Sequence, residues 1–126
     1  MDQSVALARI STALLHPPVS QGAGAFVSTT GVDLQGFLGN VSAVVSSGAV
    51  TGSMSLIRLQ DSDILAGTYV DITGATATDI TTANQTRAIA VDQRSVRRFL
   101  KFAATVTTGP IVVGVTLIGY KTYIPS

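Results

Sequence analysis

The residues best able to do chemistry lie in one stretch, Leu59 to Gly74 (LQDSDILAGTYVDITG), which holds Asp61, Asp63 and Asp71. Clustered carboxylates have three ordinary uses: holding a hard cation, sharing a proton in an acid–base pair, or bonding backbone N–H groups at a bend. A helix–loop–helix calcium loop needs oxygen ligands at alternating positions and glycine at the sixth. Counting from Asp61, Asp63 fits the third position, but Leu65 and Ala66 fill the fifth and sixth. An aspartic-protease dyad needs two Asp-Thr-Gly signatures whose carboxyls share a proton. Here Ile72 separates Asp71 from Thr73, and no second copy occurs. The remaining use is structural: a hairpin in which Asp61, Ser62 and Asp63 bond the turn backbone, Leu59 ends one strand, and Tyr69, Val70 and Ile72 continue the next.

Other chemical candidates are sparse. His16 is the only histidine and has no partner at ligand spacing; beside Pro17-Pro18 it reads as a helix-end or contact residue. There is no cysteine, hence no disulfide framework or thiolate metal site. No Gly-x-Ser-x-Gly elbow and no phosphate-cradling glycine loop occurs. No catalytic residue, metal ligand or cofactor is therefore expected, and the chain is not expected to be an enzyme. The Asn-x-Thr/Ser triplets at Asn40 and Asn84 read as chance matches, since no secretion signal stands before them.

Arg94, Arg97, Arg98 and Lys101 are the one concentration of charge. Nucleic-acid affinity grows with the number of phosphates neutralised, and the net charge is only +1. Direct nucleic-acid binding is not expected; contact with a protein, or a solvated strand start with Asp92 as counter-charge, fits better.

The elements that must position these residues follow from composition and pattern. The chain has 126 residues, enough for one domain with a real core. It is 46% hydrophobic but only 12% charged, about half the usual share. All its acidic residues are Asp, and Thr and Val are abundant. β-branched residues suit pleated, half-buried backbone, so the domain is expected to be all-β. Leu100, Phe102, Ala104 and Val106 alternate, as do Ile89 and Val91. In MSLIRLQ, Met54 and Leu56 share one parity while Ile57 and Leu59 share the other, which calls for burial on both faces or a bulge. PIVVGVTLIGY is apolar on both parities. Phe102 to Tyr120 carry no charge over nearly membrane-spanning length, but Gly109-Pro110 marks a turn, so two strands of a hairpin are expected there and no membrane span.

Many short strands with frequent turns predict a single antiparallel β-sandwich or jelly-roll over residues 21–126. Residues 1–20 form a separate arm. Leu7, Ile10 and Leu14 stand at helical spacing within residues 4–15, with Asp2 or Ser4 as cap and Pro17-Pro18 as stop, which predicts a short N-terminal helix.

Read in order, GVDLQGF (31–37), IRLQDSD (57–63), TYVDITGAT (68–76) and VRRFLKFAATVTTG (96–109) resemble the small virion proteins of tailed bacteriophages that decorate or cement the capsid. The resemblance covers roughly residues 31–120. It implies a structural virion protein on the capsid surface, made in the host cytoplasm, that binds the outside of the assembled shell and bridges major capsid protein subunits. It also implies a homo-oligomer, a trimer in preference to a dimer. The contact residues expected for capsid or oligomer are Leu7, Ile10, Leu14, Arg97, Arg98 and Lys101. The competing reading is a small carbohydrate- or receptor-binding β-sandwich of a tail or adhesin. Exposed aromatics would favour it, because sugars stack on them; the chain offers three Tyr, four Phe and no Trp.

Overall fold

A computed structural model describes residues 7–29 and 31–123. Among them there are nine strands and no helix: β1 (Leu7–Gln21), β2 (Gly24–Val27), β3 (Val32–Asp33), β4 (Phe37–Val50), β5 (Met54–Ser62), β6 (Val70–Ala77), β7 (Thr86–Asp92), β8 (Phe99–Val106) and β9 (Ile111–Tyr123). They form two antiparallel sheets in a sandwich-like arrangement. A four-stranded sheet has the order β1-β9-β4-β7; a five-stranded sheet has the order β2-β8-β5-β6, with β3 also paired to β8.

Alternation builds the core between the sheets. On β8, Leu100, Phe102, Ala104 and Val106 are all buried, and Ile111, Val113, Val115 and Leu117 of β9 face them across the sandwich. Val41, Ala43 and Val45 of β4 and Ile89 and Val91 of β7 complete the layer of the first sheet. The mixed parity of β5 resolves as a bulge. Leu56 takes φ of 52° and is 66% exposed, while Met54 before it and Ile57 and Leu59 after it are buried. The register against β8 shifts between Ser55 and Arg58. One extra residue flips the strand's parity, so both apolar sets reach the same core.

Two expectations are corrected. The N-terminal helix is a strand: Leu7 to Leu14 pair in unbroken antiparallel register with Tyr123 to Thr116 of β9. Ile10 and Leu14 are four apart, a spacing that puts them on one face of a strand as well as of a helix. The free edge of β9 supplies a ladder that local helix propensity cannot match. Pro17 and Pro18 do not stop the element, because β1 is an edge strand with register shifts at Leu14/His16 and His16/Val19, where a missing N–H is tolerated. The second correction concerns β8 and β9. Both are strands, but they are not a hairpin: Thr107 to Pro110 carry the chain from one sheet to the other. No helix among the described residues is long and apolar enough to cross a membrane.

Candidate functional site

The aspartates of the opening stretch are held by arginines. β5 and β6 do form the expected hairpin, with Gln60 opposite Asp71 and Asp61 opposite Val70. β5 runs on to Ser62 instead of ending at Leu59. The turn is made by Ser62: its hydroxyl donates to the Ile64 carbonyl (2.8 Å) and accepts from the Ile64 N–H (3.1 Å). Asp61 accepts from the Arg97 N–H (3.0 Å) and from Arg97 Nε (3.1 Å). Asp63 lies 3.8 Å from the same guanidinium. Asp71 accepts from Gln60 Nε2 (2.7 Å) and Arg58 Nε (2.9 Å). Those two hydrogen bonds, Gln60's first, hold the Asp71 carboxyl below its ordinary pKa. A depression of about 530 Å³ runs alongside, lined by Asp61, Asp71, Thr73 and Ser95 among others. Among the described residues no three His, Cys, Asp or Glu converge as metal ligands. Replacing Asp61 with alanine removes two bonds to Arg97 from a side chain only 14% exposed; an unfolding free energy lower by about 2 kcal/mol is expected in urea titration.

The basic cluster is divided in the same way. Arg97 serves Asp61. Arg98 forms a two-pronged pair with Asp33 (2.9 and 2.8 Å) and reaches Gln35 (2.7 Å). Lys101 Nζ stands 4.6 Å from the centre of the Tyr69 ring, and Arg94 pairs with Asp92. These cations pin loops to strand ends, so the cluster presents little unsatisfied charge.

The feature that remains is the outer face of the four-stranded sheet. Side chains alternate across a strand, so the partners of the buried row point outward. The ladders place them in rows: Ile10, Tyr120 and Leu38; then Thr12, Ile118, Ser42 and Ala90; then Leu14, Thr116, Val44 and Ala88; then Gly114, Ser46 and Thr86. None of these residues is charged. Ile10 is 70% exposed, Leu14 58% and Tyr120 52%, with Leu38, Val112 and Ile118 also open. Asp92, bound to Arg94, marks one corner at the end of β7.

The face has relief. At one end the exposed Ile10, Leu38 and Tyr120 side chains stand beside a hollow of about 350 Å³ that Ile10, Ser42, Ile118 and Tyr120 help to line. At the other, Gly48 and Gly114 lack side chains and a hollow of about 350 Å³ opens among Leu14, Pro18, Val112 and Gly114. Pro18 leans over Gly114, where an added Cβ would come within 3.1 Å of the proline ring. Two of the expected contact residues, Ile10 and Leu14, lie on this face; Leu7 pairs with Tyr123 at its margin. Arg97, Arg98 and Lys101 belong to loops and strands of the other sheet. Sequence reasoning missed Leu38, Val44, Ile118 and Tyr120. The signal was present in β9, whose apolar residues on both parities mean one set in the core and one set outside.

A second apolar surface is the β5–β6 turn. Ile64 is 67% exposed, Leu65 46% and Val70 53%. The turn is well braced: the Gly67 N–H donates to the Ile64 carbonyl (2.9 Å) and the Tyr69 hydroxyl donates to the Leu65 carbonyl (2.8 Å).

No protein-family model matches the chain, and no curated protein matches it. Among solved structures the chain is similar to the SPBc2 prophage-derived protein YomS, with 11% identity, a TM-score of 0.58, and coverage of 94% of this chain and 100% of that one. At that identity the likeness is one of fold: this chain has the all-β, two-sheet fold of a prophage-derived protein.

Proposed function

We propose that this chain is a structural protein of a bacteriophage particle. It binds the outside of the assembled shell and bridges neighbouring subunits of the major capsid protein. The observation that supports this reading is the presence of two separate exposed apolar surfaces, the uncharged outer face of the four-stranded sheet and the Ile64, Leu65 and Val70 side chains at the β5–β6 turn of the other sheet. A bridging protein needs at least two such surfaces, and the buried centres of protein interfaces are depleted of charge. Scattered exposed apolar residues are ordinary, but a contiguous apolar patch of this extent on a soluble domain marks an interaction site. The sequence resemblance to capsid decoration proteins and a fold shared with a prophage-derived protein support the phage setting. The work proposed is mechanical, and many weak contacts repeated over a lattice would supply the avidity.

The braced β5–β6 turn is the part assigned to the shell, because a rigid protruding pair of aliphatic side chains loses little entropy on docking. Purified chain added to shells that lack it should bind and saturate at a ratio set by a symmetry axis, measured by sedimentation and densitometry. The double change Ile64→Asp, Leu65→Asp should reduce shell occupancy at least about tenfold, since burying an unpaired charge is costly, while leaving the melting temperature nearly unchanged. Shells that never take up the wild-type chain would sink the reading.

A further inference from the structure

The outer face of the β1-β9-β4-β7 sheet is the strongest unassigned feature, and we propose that it is covered by a second copy of this chain, packed face to face about a two-fold axis. An isologous contact sets a surface against itself, so every charge near the axis would meet its own like. A face without charge is the kind that meets itself without repulsion, and the rows from Ile10 to Ala88 carry none.

The relief fits the same operation. An axis lying in the contact plane and running across the strands reverses strand direction in the partner. It brings the exposed Ile10, Leu38 and Tyr120 side chains of one copy over the hollow beside Pro18 and Gly114 of the other, and the reverse contact forms at the opposite end. Thr116 and Val44, in the middle row, fall near the axis.

The area is sufficient. At about 4.8 Å per strand and 3.4 Å per residue, the face measures roughly 19 Å by 27 Å. Two copies would bury about 1,000 Å², near the lower bound for a specific interface. The pair would be two sandwiches back to back, leaving the β5–β6 turn of each copy outside the contact. The inference does not rest on the shell-binding reading, and its test contains no shells.

The full-length chain should show twice the chain mass in sedimentation equilibrium at micromolar to 100-micromolar loading. Thr116→Lys and Thr116→Asp should each weaken the dimer at least about 100-fold, because like charges would face each other across the axis. Mixing the two variants should restore a species of dimer mass, which a merely unfolded variant would not do. Circular dichroism would verify the fold of each; if Thr116→Lys melts early, Ala88→Arg on exposed β7 takes its place with the same expected loss. A wild-type chain that stays monomeric at 100 micromolar overturns the proposal. A trimer, or a dimer untouched by both Thr116 variants, overturns it equally.

Discussion

Replacing Phe102 with alanine is expected to lower the unfolding free energy by about 3–5 kcal/mol, the usual cost of emptying a fully buried aromatic site. Phe102 is fully buried and sits in the middle of β8, facing the core with Leu100, Ala104 and Val106. Its ring centroid lies 5.9 Å from that of Phe26 on β2 and 6.3 Å from that of His16 on β1. The backbone of Phe102 is also fixed: its N–H donates to Ser28 Oγ (2.9 Å), and its carbonyl accepts from the Ser28 N–H (2.7 Å). The site therefore cannot collapse easily around a smaller side chain, which puts the cost toward the upper end. For a domain of this length that corresponds to a melting temperature lower by roughly 10–20 °C. Thermal denaturation followed by circular dichroism measures it; a shift below a few degrees would mean that the three-ring cluster is not a keystone of the core.

The second large effect is a pH dependence centred on His16. This side chain is 7% exposed, and neither ring nitrogen has a hydrogen-bond partner. Its neighbours are the rings of Phe26 at 5.3 Å and Phe102, and its strand partner on β9 is Val115. No charged group faces it from β2, β8 or β9 in these contacts, so burial alone pushes its pKa below the ordinary 6.5. The sign follows from linkage. A group whose folded pKa is depressed by burial of a neutral base binds its proton more readily in the unfolded chain. Stability is then full above about pH 6.5 and falls as pH drops, by at most about 1.4 kcal/mol per unit, until the folded imidazole is itself protonated. His16→Leu keeps the volume and removes both unpartnered nitrogens. It should flatten the urea-unfolding free energy between pH 6.5 and 4.5 and raise it modestly at neutral pH. The window excludes the Asp71 and Asp92 carboxyls, whose lowered pKa values place their loss at more acid pH. A wild-type curve already flat across this range would refute the assignment.

His16 also shows where sequence reading loses its grip. A lone histidine beside two prolines reads as the end of a helix, and nothing local says that it will be turned inward between two phenylalanines. The shift of register between Leu14 and His16 puts it there. Asp61, Asp63 and Asp71 belong to the same class. Their hairpin was legible from the glycines and the alternating residues around them. Their partners were not: Arg97 lies 36 residues from Asp61 in the chain, and only the pairing of β5 with β8 brings the two together. The outer face of the four-stranded sheet was half legible, since β9 advertises apolar residues on both parities while β4 and β7 contribute mostly small and polar ones.

The sequence by itself determined that the body is sheet, that Leu100, Phe102, Ala104 and Val106 share a buried face, that β5 must either bulge or be buried on both faces, and that the surface is short of charge. These are properties of period, β-branching and composition, which act over a few residues. Only the tertiary structure decided that residues 7–21 are a strand rather than a helix, that β8 and β9 part into different sheets, that the arginines are spent on aspartates far away in the chain, and that the exposed apolar residues of three strands line up on one face. Each of those depends on which strand edge is free to pair. That choice is made by the competition of all the strands for one core, and no local window contains it.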